Sequence, residues 1–200
     1  MHNNKKTCAE IDLDALLENV AAIKEHVAPA GVIPVVKADA YGHGLTHTAQ
    51  AAYEAGARWF AVVNMSEAFR IREKLPTANI VILGVCSPED VEALHRHRLI
   101  PIIANLAHGL VLGAKARELG IGLEVHLKVD TGMGRQGFLL EGAAKSMLKI
   151  TRISNVDIEG VFTHFPVADE QVGLTTVSQT KMFRKLLREL SRDGIPFEMG

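Results

Sequence analysis

Apolar positions along the chain follow two periods. From Asp12 a helical spacing sets Leu13, Leu16, Leu17, Val20, Ile23 and Val27 on one face, and Pro29-Ala30-Gly31 closes it. Ahead of it, Thr7 to Leu13 alternates enough to predict a short strand. Val32 to Lys37 is a β-branched run, far too short for a membrane span, that reads as a buried strand ending in a lysine and a glycine-punctuated turn. An alanine-rich helix from about Leu45 to Ala55 is stopped by Gly56. The same alternation then repeats. Strands are predicted at Trp59–Val63, Ile80–Val85, Leu99–Ala104, Leu123–Asp130, Val156–His164 and from Phe197 to Met199. Helices fall between them: one capped by Ser66 and ended by Pro76, one started by Ser87-Pro88-Glu89-Asp90, then Leu106–Leu119, a stretch to about Arg152, and one marked by Phe183, Leu186, Leu187 and Leu190.

Setting the N-terminal strand aside, seven strands alternate with helices from Val32 onward, the βα spacing of an α/β fold with a parallel sheet and helical crossovers. A (β/α)8 TIM-type barrel closes only with its eighth strand. The expectation is therefore a barrel truncated to about seven parallel strands, preceded by an N-terminal strand and helix, with residues 1–200 forming one incomplete barrel domain of a longer chain. A complete doubly wound sheet is the competing architecture, but no G-x-G-x-x-G turn follows the first strand.

Composition narrows the function classes. With 200 residues, 48% of them hydrophobic, the chain has enough material for a full core. A net charge of −1 with interleaved signs gives no electrostatic footprint for nucleic acid or an acidic membrane surface, and the basic cluster Lys181, Arg184, Lys185, Arg188 and Arg192 reads as a solvated helix face. Cys8 and Cys86 lie in no metal or redox spacing, which favours a cytoplasmic protein. His43 and His47 stand at i, i+4, but with no third ligand in view a metal site is not expected.

A lysine that ends an apolar strand ordinarily just carries its ammonium out to water. Lys37, however, sits at a strand's C-terminal mouth, where α/β proteins house ligands. The stretch Val35-Val36-Lys37-Ala38-Asp39-Ala40-Tyr41-Gly42-His43-Gly44 resembles the pyridoxal-phosphate lysine motif of the alanine racemases. That resemblance implies that Lys37 forms a Schiff base with pyridoxal 5'-phosphate and acts as a catalytic base, and that Tyr41 contacts the cofactor's phosphate.

Two further segments extend it. In Leu123 to Asp130, Glu124, His126, Lys128 and Asp130 share one face, and polar residues turned into a barrel must pair or do chemistry. A mutually satisfied polar ring is the plain reading for Glu124 and His126. Lys128-Val-Asp-Thr-Gly-Met-Gly-Arg135 is similar to the family's second signature, which implies that Arg135 faces the cofactor's phenolic oxygen and the substrate carboxylate. By the same resemblance Lys128 is a candidate carbamylated lysine, since a carbamate would turn a cation beside Arg135 into an anion. Thr163-His164-Phe165 resembles the family's T-H-F element, which implies stacking of His164 on the pyridine ring.

The resemblance covers essentially the whole chain and implies interconversion of L-alanine and D-alanine for peptidoglycan, by a homodimer whose C-terminal β domain lies outside these residues. That domain would bring a tyrosine as the second base, so the isolated piece is expected to racemise poorly. No nucleic-acid or membrane partner is expected. The competing readings are a racemase for another amino acid such as serine, a non-catalytic pyridoxal-phosphate-binding barrel, whose lysine motif lacks A-D-A-Y-G-H-G, and a barrel aldolase that uses Lys37 without a cofactor. A purely structural module offers no reason for Lys37, Tyr41, Lys128 and Arg135 to gather at strand ends.

Overall fold

The computed structural model describes residues 7–170 and 173–195. Helix α1, Leu13–Val27, starts at Asp12, whose carboxylate accepts from the Ala15 amide at 3.0 Å. The expected strand from Thr7 to Leu13 does not form: residues 8–12 lie ahead of α1 with no ladder partner among the described residues. Alternation alone does not make a strand where no neighbouring edge completes its hydrogen bonds.

Val32 to Lys37 is less regular than its sequence suggests. A single parallel bridge joins Val35 to Ala61, closed by Val36 N–H to Ala61 O at 2.9 Å and Ala61 N–H to Pro34 O at 3.0 Å. Pro34 supplies a carbonyl but no amide, which keeps the ladder short. The turn α2 (Lys37–Tyr41) and helix α3 (Leu45–Glu54) follow, and then β1 (Trp59–Val62), α4 (Met65–Lys74), β2 (Asn79–Ile82), α5 (Val91–Arg96), β3 (Leu99–Ile103) and α6 (Leu106–Leu119) alternate. Next come β4 (Leu123–Asp130), the two-residue β5 (Phe138–Leu139), α7 (Ala143–Ile150), β6 (Val156–Phe162) and α8 (Leu174–Arg192). The cap of α4 is Asn64, not Ser66: Asn64 Oδ1 accepts from the Glu67 amide at 2.9 Å, and Ser66 donates its hydroxyl to the same oxygen. The predicted strand Phe197–Met199 lies outside the described residues.

All pairings are parallel, and the strands stand β1-β2-β3-β4-β6, each beside its predecessor, with β5 pairing the end of β4. No reversal of order occurs along this path, which is the succession of barrel staves and not the switch-point order of a doubly wound sheet. Val35 adds a stave before β1. Alternate residues divide two cores. Phe60, Val62, Ile80, Ile82, Ile103, Leu123, Val125 and Leu127 pack with the helices. Ala61, Val81, Ile100 and Ile102 form a smaller inner cluster with Trp59, Leu83 and Phe162. Strands buried on both faces read as near-continuous apolar runs, as these do. The first stave and β6 line one common cleft of about 1060 Å³, so the sheet curls toward closure.

Candidate functional site

Lys37 leaves the first stave into a turn of unusual hand. Ala38, Asp39, Ala40 and Tyr41 have φ of 52–54°, all in the left-handed region, and Gly42 continues at φ 90°. For residues with a Cβ this costs roughly 1–2 kcal/mol apiece, so surrounding contacts must hold the turn. Three do. Ala38 N–H donates to Glu67 Oε1 at 2.7 Å, Leu45 N–H donates to Asp39 Oδ1 at 3.0 Å, and Arg70 pairs with that same oxygen at 3.3 Å. The Leu45 amide and, less, Arg70 hold the Asp39 carboxyl below the usual carboxylate range against some burial. His43 Nδ1 bonds to Ala40 O at 2.8 Å, which ties that histidine into the turn. Tyr41 is 61% exposed, and its ring lies 6.0 Å from Lys37 Nζ.

On β4, Lys128 follows the inner-face parity that the sequence predicts. It is 4% exposed, and its ammonium sits 6.0 Å from the Phe162 ring of the inner cluster. Glu124 departs from the expectation: at the start of the strand it is exposed and takes no part in an interior ring. Asp130 turns to the loop that follows. Its Oδ1 accepts from the Gly132 and Gly134 amides at 2.8 and 3.1 Å, and its Oδ2 from Arg135 N–H at 3.1 Å. Burial alone would raise this carboxyl, but those amides together outweigh it and hold the group below its ordinary value. The Thr131 and Thr163 hydroxyls meet at 2.8 Å, and Thr163 also donates to Val129 O, locking the end of β6 to that of β4.

These elements bring four of the predicted residues into one electrostatic neighbourhood. Burial, then the charge of Arg135 and that of Lys37, push the Lys128 amine down, and only Asp130 favours its protonated form. His164 is pushed down by burial, then by Arg135, Lys128 and Lys37. A cluster of Lys37, Lys128 and Arg135 with so little opposing charge suits an anionic ligand; a phosphate-bearing cofactor and a substrate carboxylate both fit that donor set. Tyr41 joins through Lys37 alone.

Beneath the strand ends, β6 carries a bulge. Val125 pairs with Ile158 and His126 with Gly160, so Glu159 is the extra residue, and its carboxylate lies 3.6 Å from His126 Nε2. A Cβ on Gly160 would come 3.0–3.2 Å from the His126 ring, which explains the glycine. His126 also faces Trp59 and Phe162, at ring separations of 5.7 and 6.4 Å. Burial drives its pKa down to about 4 despite the nearby carboxylate. Between that value and the ordinary histidine range the unfolded chain binds a proton that the folded chain refuses. Stability is therefore expected to fall by up to about 3 kcal/mol as pH drops from 6.5 to 4. Urea midpoints at pH 7 and 4.5 check this; His126→Asn should flatten the loss, and an unchanged loss would assign the acid sensitivity elsewhere.

The 1060 Å³ cleft is this barrel interior, bounded by Val32, Ile33 and Val35 on one side and Ile158 to His164 on the other. His164 stands in its lining, which does not include Lys37, Lys128 or Arg135. A groove of about 690 Å³ lies on the helical exterior between α1, α3 and α4, and its lining includes none of these three residues. Two contributors escape the sequence reading. Glu67, three residues after Asn64, carries only a capping signal there. Gln179 on α8 is 2% exposed beneath Gly132, with neither amide atom bonded among the described residues, and shows there as one polar residue on a helix.

Comparison with known proteins adds an independent line. The family described as "Alanine racemase, N-terminal domain" matches residues 11–199. The alanine racemase of Symbiobacterium thermophilum is 37% identical over 191 residues, covering 96% of this chain and 51% of the relative. The solved alanine racemase of Streptomyces coelicolor A3(2) superposes with a TM-score of 0.85 at 30% identity, covering 94% of this chain and 51% of that one. A histidine racemase from Leuconostoc mesenteroides subsp. sake shares the fold at TM-score 0.81 and 24% identity, over 88% of this chain and 48% of that one. The chain thus spans about half the length of the relatives it matches.

Proposed function

The chain belongs to the alanine racemase N-terminal domain family, and from that premise we propose that it binds pyridoxal 5'-phosphate on Lys37 and contributes to the interconversion of L-alanine and D-alanine. The observation that carries this reading is the convergence of Lys37, Lys128, Arg135 and His164 at the C-terminal ends of parallel strands. When bound, pyridoxal phosphate supplies the electron sink that makes loss of an amino acid's α-proton feasible. Lys37 Nζ would hold the cofactor, and its amine would serve as the base that moves the α-proton on one face; a positioned base contributes about 10²–10⁴ in rate. Arg135 would orient the substrate carboxylate and the cofactor's phenolic oxygen, Tyr41 would reach the phosphate, and His164, whose pKa is lowered by burial and its cationic neighbours, would pack against the ring.

Lys128 supports a carbamate in this scheme. Its amine is buried and disfavoured as a cation, and the neutral amine is the form that adds to carbon dioxide, releasing a proton and leaving an anion to receive Arg135. Residues 1–200 are on this reading the cofactor-binding barrel domain. The base for the opposite face comes from the remaining half of the relatives' length, in a homodimer that supplies D-alanine for peptidoglycan. Among the described residues no helix is long and apolar enough to cross a membrane, and both cysteines are free, with burial and then Asp90 pushing the Cys86 thiol up to about 12; such thiols fit a cytoplasmic setting. The alanine reading is favoured over another amino acid because alanine racemases match at 28–38% identity, whereas the histidine racemase shares the fold alone.

Borohydride trapping tests the reading. The purified chain, mixed with pyridoxal phosphate, reduced and digested, is expected to carry the pyridoxyl mass on the Lys37 peptide. Label distributed over surface lysines according to exposure would overturn it, and no retained pyridoxal alongside a trapped carbonyl substrate would favour the aldolase.

A further inference from the structure

We propose that Glu67 is a positioning residue for Lys37, holding the left-handed turn behind it and so fixing the direction in which its side chain leaves the sheet. This rests on the reading that Lys37 carries the cofactor. Glu67 stands in the first turn of α4 and is 8% exposed. Its carboxylate is divided between two amides: Oε2 accepts from Val63 N–H at 3.0 Å, and Oε1 accepts from Ala38 N–H at 2.7 Å.

Val63 follows β1, the strand bridged to the first stave, and Ala38 follows Lys37 directly. One buried group therefore joins the end of β1, the start of α4 and the residue next to the lysine. No backbone carbonyl accepts from Ala38 N–H among the described residues, so without Glu67 that donor is orphaned at the first residue of the left-handed run. Helix capping does not explain the arrangement. Asn64 already caps α4, and a cap has no use for an oxygen that reaches back 29 residues. Two N–H donors meeting one side chain also demand a carboxylate: a glutamine offers one acceptor and sets its NH2 against the other amide.

Glu67→Gln, Glu67→Leu and Asn64→Ala are compared with the parent chain by three readouts: hydrogen exchange of the Ala38 amide without ligand, the rate of borohydride-trapped pyridoxyl formation on Lys37, and thermal melting. Glu67→Leu should speed Ala38 exchange about tenfold or more and slow trapping on the order of 10²-fold, the usual cost of a misplaced reacting group. Glu67→Gln should fall between it and the parent chain, and carries the test if the leucine variant does not fold. Asn64→Ala should lower the melting temperature while leaving both other readouts unchanged. Variants at 67 that melt lower yet trap at the parental rate with Ala38 still protected would reduce Glu67 to a cap and overturn the proposal. If the parent chain itself does not trap at Lys37, the cofactor reading fails, and Ala38 exchange still decides whether Glu67 holds the turn.

Discussion

On the proposed reading, Lys37→Ala should abolish covalent capture of pyridoxal phosphate and lower racemisation by about 10⁴-fold or more, because one substitution would remove both the attachment point and the base for one face. The fold should survive. Lys37 belongs to neither core cluster, and its own φ lies outside the left-handed run that starts at Ala38, so alanine introduces no strain. Removing one of three clustered cations should also relieve Lys128 and His164, both of which feel the Lys37 charge. Lys37→Arg separates the two roles: it keeps the charge and lacks the reactive amine, so it should bind the cofactor weakly without any reducible adduct. Mass spectrometry after borohydride reduction reads both variants, and an undiminished adduct on another lysine in Lys37→Ala would remove Lys37 from the mechanism.

The parts legible in the sequence are those set by short-range periodicity. Strand parity along Leu123 to Asp130 places Lys128 on the inner face, and the structure sets it against Phe162 of the inner cluster. The order of staves follows from the βα alternation for the same reason: connections between sequential parallel strands leave few alternatives. What fails depends on contacts between distant segments. Alternation at Thr7 to Leu13 cannot reveal whether an edge is available for it, and the four consecutive left-handed residues after Lys37 are two alanines, an aspartate and a tyrosine; only the aspartate favours that backbone, and then as a single residue and not a run. Besides the nearby Leu45 amide, their support comes from Glu67 and Arg70 on α4, 29 and 31 residues away from the groups they bind, a distance over which no local pattern carries information. The Glu159 bulge is hidden likewise, since only the β4–β6 register exposes it.

Gly137→Ala should be the most damaging small substitution in the site. Gly137 sits at φ +134°, and a Cβ there would lie 2.6 Å from Asp130 N, 2.8 Å from Val129 C and 3.1 Å from Lys128 O. All three atoms are backbone, so no rotamer change relieves the clash. Either β5 separates from β4, where Phe138 pairs Val129 and Leu139 pairs Asp130, or the end of β4 moves with Lys128 and Asp130 on it. The expected cost is about 3 kcal/mol or more, a fall in melting temperature of roughly 6–12 °C for a chain of this size. Because Asp130 holds the loop through the Gly132, Gly134 and Arg135 amides, Arg135 should be displaced as well and cofactor affinity should drop with stability. Gly134→Ala is the matched control. Gly134 also has a positive φ, +69°, but nothing stands within 4 Å of its added Cβ, so only the conformational cost of about 1 kcal/mol applies. Melting curves and pyridoxal titrations of the two variants separate the causes: equal losses would mean that backbone strain alone governs the loop, whereas a much larger loss at Gly137 locates the constraint in its packing against the end of β4.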